Sequence, residues 1–502
     1  MSYVLLFSVF VIATCGLVYE LIAGALASYL MGDSVTQFST VIGVYLFSMG
    51  IGSYLSKHAN RNLIGLFVQV ELLIGLIGGF SASILFVAFE HLTGFRLLLY
   101  SVVALTGTLV GFEIPILMRI LHSHFAFKDL VSKVFTFDYV GALLASLLFP
   151  LFLVPHLGLV RSSFLFGIFN VLVAIWTLFL FKDQVGWARL MRTSAMAVLV
   201  SLVMGFIYSD RILSFSEAAS YQDKVVYSKT SKYQRIILTK SEDDFRLFLN
   251  GNLQFSSKDE YRYHEALVHV GMASLREPKN VLVLGGGDGL AVREILKYPS
   301  VQSVTLVDLD PAMTDLFKTQ EELRAINQDS LNSPKVQVFN EDAFLWLKEN
   351  QKKFDFIAVD FPDPSNFSVG KLYTNSFYRL LKNALAPEGL GVIQSTSPYV
   401  AKKSFWCVDN TLHSVGFATS PYHVFVPAFG DWGYIMISHP EFNPDFNATT
   451  KFPSGLKFVT NNVVKTMFVF PPDMIVASHD INKLNNQILV RHFEEEWAGY
   501  VH

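Results

Sequence analysis

Four short stretches of this 502-residue chain carry side chains able to do chemistry. An apolar run, Val281-Leu282-Val283-Leu284, leads into Gly285-Gly286-Gly287-Asp288-Gly289. A glycine-rich turn after a strand lets the backbone approach a ligand closely. An acid at the end of the following strand, here Asp308, suits ribose hydroxyls. Together they indicate a nucleoside-containing cofactor. The turn lacks the third spaced glycine of the dinucleotide fingerprint, which disfavours a nicotinamide enzyme. Asp288 stands inside the turn, where an acid repels the carboxylate of S-adenosylmethionine and attracts a cationic amine. An Asp there also suits a helix N-cap, and the two roles are compatible.

The third stretch is Glu341-Asp342-Ala343, after another apolar strand. Its acid can accept hydrogen bonds from an adenine amino group beside the slim Ala343, or it can cap the helix that follows. The fourth is Asp360-Phe361-Pro362-Asp363-Pro364. Two carboxylates three residues apart, stiffened by prolines, form a fixed anionic site. An amine nucleophile needs such groups to bind its cation and to take a proton before attack. No metal-ligand spacing is present.

These stretches require a scaffold. Strands at 281–284, 304–307, 336–339, 356–359 and 391–394 alternate with helical segments, which predicts a parallel doubly wound sheet. Ligands of such sheets bind at the carboxyl ends of the strands, so Asp288, Asp308, Asp342 and Asp360 converge on one cleft. Before them, residues 221–256 alternate apolar and polar positions, with Asn250-Gly251 as a hairpin turn, and 260–275 read as helical.

The first 208 residues differ in kind. They hold 18 charged side chains, about 9% of the stretch, against about 21% in 209–502. About seven apolar runs, near 3–30, 36–56, 63–89, 95–121, 131–155, 159–181 and 190–208, are long enough to span the roughly 30 Å hydrocarbon core. The fold class is therefore a multi-spanning α-helical membrane domain (1–208) fused to an α/β Rossmann-like domain of the AdoMet-dependent transferase type (276–440). A small antiparallel β unit (209–275) precedes the latter, and an extension of unassigned role (441–502) follows. Glu20, Glu71, Glu113 and Asp138 lie inside the apolar runs, either fixing helix packing or lining a cation path. Basic loops after the second, fourth and sixth runs place the N-terminus in the cytoplasm. Seven crossings then put the catalytic half outside, whereas a seventh segment lying at the interface, short and rich in small residues, keeps it inside. A cytosolic cofactor favours the inside. The net charge of −3 gives no case for nucleic acid, and two cysteines, Cys15 and Cys407, build no disulfide framework.

The acidic stretches, in this order and spacing, resemble the spermidine synthase family of polyamine aminopropyltransferases. Tyr221-Gln222-Asp223, Leu249-Asn250-Gly251-x-x-Gln254 and Asp259-Glu260-Tyr261-x-Tyr263-His264-Glu265 agree. The resemblance covers about 217–440, and the first half is similar to the multi-spanning segment of the family's membrane-bound branch. It implies that Gln222, Gly285, Gly286, Gly287, Asp308, Asp342 and Ala343 hold decarboxylated S-adenosylmethionine and its product methylthioadenosine. Tyr263, His264, Asp288 and Asp363 would line the polyamine region, with Gln254 and Gln394 near the amine channel. Asp360 would be the proton acceptor. The implied acceptor is putrescine or a related amine, no metal is needed, and dimers or tetramers are common in the family. Departures at Asn250, at Ser365-Asn366-Phe367 and at 427–433, which lacks the usual tyrosine, bear on the identity of the amine. Two other readings are an AdoMet-dependent methyltransferase and a non-catalytic membrane polyamine sensor or transporter.

Overall fold

Long uninterrupted apolar stretches form long helices in the first part of the chain. The computed structural model describes residues 2–31, 34–92, 94–122, 125–181, 184–185, 187–442 and 452–498. These fall into two units, Met1–Val225 and Val226–His502.

The first unit comprises α1 (Ser2–Met31), α2 (Ser34–Ser56), α3 (Leu63–His91), α4 (Phe95–Leu121), α5 (Phe127–Leu148), α6 (Gly158–Leu180) and α7 (Ala188–Ser220). Among the described residues, six helical segments are long and apolar enough to cross a membrane. One of them, Phe127–Leu180, holds 54 residues. At 1.5 Å per residue it is about 80 Å long, more than twice the hydrocarbon thickness. It is divided by a π-helical stretch, Phe149–Leu157, in which Pro150 and Pro155 lack the N–H an α-helix needs. The stretch ends at Gly158, with φ 72° and ψ 176°, a conformation that only glycine adopts readily. Helices α2 and α4 pack at backbone distance, for a Cβ on Gly52 would lie 1.9 Å from the Thr108 carbonyl oxygen. Of the acids in this unit, Glu71 is fully buried and accepts a 2.8 Å hydrogen bond from Asn170 Nδ2, whose Oδ1 accepts from Tyr19 at 2.9 Å. Glu71 therefore ties α3 to α6 and α1. Glu20 and Glu113 are also buried, and Asp138 is half-buried.

Residues 209–220, expected with the β unit from the rise in charge, instead continue α7. Polarity marks where apolar helix surface ends, but no Gly or Pro stops the helix there. The seventh helix is accordingly 33 residues long, of which Ala188–Ser209 is apolar enough to cross a membrane, close to the expected 190–208.

The second unit opens with a four-stranded sheet in the order β1 (Lys224–Thr230), β2 (Arg235–Lys240), β3 (Phe245–Leu249), β4 (Asn252–Ser256). Asn250 (φ 51°) and Gly251 (φ 82°) form the expected hairpin turn, and Asn250 Oδ1 accepts from Arg235 N at 2.9 Å. Helix α8 (Glu260–Met272) follows. The large sheet contains β5 (Asn280–Gly285), β6 (Ser303–Val307), β7 (Val336–Phe339), β8 (Phe354–Asp360), β9 (Leu385–Gln394), β10 (Ala418–Val426) and β11 (Gly430–Ser438). Its order is β10-β11-β9-β8-β5-β6-β7. Strands β9, β8, β5, β6 and β7 are parallel, and the inner ones, β5 and β8, are buried and apolar along their middles, as strands covered on both faces must be. The two strands not anticipated from the sequence, β10 and β11, are antiparallel. The chain runs outward from β5 to β6 and β7, then returns to β8 on the other side of β5. The ends of β5 and β8 thus form the switch point, with Gly285 paired to Asp360.

The extension after residue 440 is no separate part. Its described portion, 441–442 and 452–498, lies in the same unit and includes a helix at Ile488–Ala498.

Candidate active site

Chain geometry brings the acids together. The cleft opens where β5, β6 and β8 end. Gly285 (φ 80°) leaves no room for a side chain, since a Cβ there would meet the Asp360 carbonyl oxygen at 2.1 Å. Gly287 N donates to Asp308 Oδ2 at 3.0 Å, and Asp310 N donates to its Oδ1 at 2.9 Å. A Cβ on Gly287 would lie 2.7 Å from Asp308 Oδ2. The slim turn and the acid therefore make one cradle.

Asp288 is buried and its Oδ1 accepts from Leu290 N at 2.9 Å. The N-cap of the helix at Leu290–Ile295 is Gly289, with no side-chain cap bond, so Asp288 braces the turn one residue earlier and does not fill the N-cap position. Asp342 caps Ala343–Glu349 through Phe344 N at 2.9 Å, and its Oδ2 meets Lys371 Nζ at 2.5 Å. Ala343 is buried beneath it.

Helix α8 supplies the opposite wall. Tyr263 donates to Asp360 Oδ1 at 2.6 Å. Its ring packs 5.5 Å from that of Tyr434 and 6.2 Å from that of Phe429. On the far side, Gln394 Nε2 donates to the Phe361 carbonyl at 2.5 Å and to Tyr373 Oη at 2.8 Å, and lies 3.4 Å from Asp363 Oδ1. Thr396 Oγ1 donates to Asp363 Oδ2 at 3.3 Å. Thr396 sits at φ 58°, a rare conformation for a β-branched residue and one that clusters at functional sites.

Burial dominates the electrostatics. It lifts Asp288 and Asp308 to about 6 and Asp363 to about 7, and raises Asp360 against the opposing charge of His264 and the Tyr263 hydrogen bond. His264 moves the other way. Burial alone would lower it, but its hydrogen bond to Glu260 Oε2 at 2.9 Å, with the charges of Glu260, Asp288 and Asp360, lifts it to about 9. Behind it, Arg293 clasps both oxygens of Glu260 at 2.9 Å and reaches Glu294 Oε1 at 2.8 Å. Glu294 also holds His269 at 2.7 Å and Lys297 at 2.6 Å. Removing either partner of such a buried pair strands a charge, so the network holds the imidazolium of His264 in place.

Gln254, on β4, turns its amide back to the Asn252 carbonyl at 3.2 Å. Gln222 is exposed on the link before β1 and counts with the first unit. Tyr373, Thr396, Lys371 and the Glu260–Arg293 pair were not anticipated. The one available signal was Arg293-Glu294 inside the otherwise apolar Leu290–Ile295.

Comparison with known proteins agrees. Residues 260–447 match the model of the spermine/spermidine synthase domain. A polyamine aminopropyltransferase of Leptospira interrogans is 51% identical over 99% of both chains. Polyamine aminopropyltransferase 2 of Ralstonia nicotianae is 54% identical over 99% of this chain and 98% of its own. The chain belongs to the polyamine aminopropyltransferase family. The whole length takes part in this likeness to fellow aminopropyltransferases, apolar helices included. A solved spermidine synthase in complex with the transition-state analogue AdoDATO is 28% identical, covering 49% of this chain and 86% of that one, with a TM-score of 0.46.

Proposed function

We propose that this aminopropyltransferase moves the aminopropyl group of decarboxylated S-adenosylmethionine to putrescine, giving spermidine and methylthioadenosine, while its first unit spans a membrane. One observation carries the reading. Asp288, Asp360 and Asp363 are buried or half-buried acids, raised by burial, around a cleft in which a fixed cation, His264, balances only part of their charge. An aliphatic diamine supplies the missing positive charge.

The residues divide the work. Gly285, Gly286 and Gly287 let the nucleoside approach the backbone, Asp308 takes the ribose hydroxyls, and Asp342 with Ala343 takes the adenine edge; Gln222 is assigned to the same ligand. Tyr263, His264, Asp288 and Asp363 position the aminopropyl chain and the acceptor, with Gln394 bracing Asp363; Gln254 is assigned to the amine channel. The amine must be neutral to react. Its proton passes to Asp360, the nitrogen lone pair attacks the carbon next to the sulfonium, and the C–S electron pair leaves with sulfur. The positive sulfur makes the leaving group good, so positioning and deprotonation are what the protein adds. A methyltransferase would have to seat its cofactor's carboxylate beside Asp288, and a pure sensor would have no use for the Tyr263–Asp360 pair.

The six long apolar segments support insertion as a multi-pass protein of the cell membrane, with the break at Gly158 making seven crossings. We assign the catalytic unit to the cytoplasmic face, where its cofactor is made, which with seven crossings puts the N-terminus outside, against the bias of the basic loops; a C-terminal reporter fusion reads this side directly.

The test is product formation by the full chain in detergent, with decarboxylated S-adenosylmethionine and a panel of amines. Putrescine is expected to give spermidine, and Asp360→Asn to lower the rate by roughly 10²–10⁴-fold. Methyl transfer from intact S-adenosylmethionine, or polyamine binding without turnover in the wild type, overturns the proposal.

A further inference from the structure

The segment 452–498 follows the matched synthase domain, which ends at residue 447, and it grips both walls of the cleft. On one wall, Glu265 is the neighbour of His264 on α8 and is buried. Its carboxylate accepts three backbone N–H groups from the segment: Lys457 on Oε1, and Phe458 and Val459 on Oε2, each at 2.8 Å. Three donors on one buried carboxylate make a strong, directional fastening. On the other wall, Asn482 is fully buried. Its Nδ2 donates to the carbonyls of Gly370 and Tyr373 at 3.1 Å each, and its own carbonyl accepts from Asn375 N at 3.0 Å. Val490 packs against Gly370, where a Cβ would meet its Cγ2 at 2.4 Å.

The gripped loop bears on the chemistry at two points. Tyr373 Oη donates to the Pro362 carbonyl at 3.1 Å and accepts from Gln394, which fixes the turn carrying Asp363. Lys371 holds Asp342. We propose that 452–498 is a clamp setting the separation of the α8 wall from the 361–375 wall, and that Asn482 and Glu265 are positioning residues for aminopropyl transfer. The proposal rests on the assignment of Tyr263, His264, Asp360 and Asp363 to the site.

The test compares two full-length variants. Asn482→Ala releases the loop. Glu496→Gln weakens a different grip of the same segment, where Glu496 accepts from Lys403 N, Ser404 N and Ser404 Oγ away from both walls. The clamp predicts at least a tenfold loss of kcat/KM in Asn482→Ala, with a raised KM for the amine, while Glu496→Gln stays within twofold at a comparable melting temperature. Equal losses in the two variants, or unchanged kinetics in folded Asn482→Ala, overturn it. Hydrogen exchange of the wild type needs no variant to fold. Methylthioadenosine with putrescine is expected to slow exchange at Lys457–Val459 and Asn375 at least threefold, and unchanged exchange there overturns the clamp. Failure of the site assignment has a separate signature, a wild type that makes no product.

Discussion

His264 is the place where the fold couples the site to stability. It is 2% exposed and lifted from 6.5 to about 9. One pKa unit corresponds to about 1.4 kcal/mol, so the folded state favours the imidazolium by about 3 kcal/mol relative to the unfolded chain. The folded value exceeds the unfolded one. This stability is therefore fully present below about pH 6.5 and disappears as the pH rises through about 9. For a unit of this size, 1 kcal/mol moves the melting temperature by roughly 2–4 °C. His264→Gln keeps a donor for Glu260 and removes the titration. Melting of wild type and variant in the same detergent, from pH 6 to pH 9.5, should give a difference that shrinks by roughly 6–12 °C. A difference that is flat with pH refutes the reasoning, because it means that Glu260 and Arg293 do not hold His264 as a cation.

Two further outcomes follow from the same geometry. Asp363, lifted by burial to about 7, should give the wild-type rate an acid limb in that region, with activity rising as the carboxylate forms; Asp363→Asn should lose the limb and lie about 10²-fold lower on the plateau, and a limb unchanged in the variant would speak against an ionised Asp363. In Gly287→Ala the new Cβ would sit 2.7 Å from Asp308 Oδ2 and push the acid aside. Calorimetry should then show methylthioadenosine bound at least tenfold more weakly, about 1.4 kcal/mol, and an unchanged Kd would remove Asp308 from the nucleoside site.

What could be read from the sequence follows from the range of the forces involved. Asp288, Asp308, Asp342 and Asp360 were legible because each follows a strand of a parallel sheet, and parallel sheets place such positions at one end. The hairpin at Asn250-Gly251 was legible because its backbone conformation demands those residues. Glu260 and Arg293 were not, since they meet only when α8 packs over the helix at Leu290–Ile295, and nothing in either segment names the other. Thr396 was hidden because a strained φ has no signature in residue type. Strands β10 and β11 were missed because their pairing with β9 is a tertiary fact. The extension was the least legible part: Glu265 meets residues more than 190 positions away, and Asn482 acts through a carboxamide that looks like any other polar loop residue. The end of α7 was misplaced for the opposite reason, since charge reports on solvent and lipid rather than on where a helix stops.

A cleft built for a diamine should refuse a cofactor that brings its own negative charge. Calorimetric titration of the full chain with decarboxylated and with intact S-adenosylmethionine compares the two at fixed pH and salt. The decarboxylated form should bind at least about tenfold, or 1.4 kcal/mol, more tightly, and Asp288→Asn should narrow that gap. Intact S-adenosylmethionine binding equally well or better, with the gap indifferent to Asp288, would contradict it.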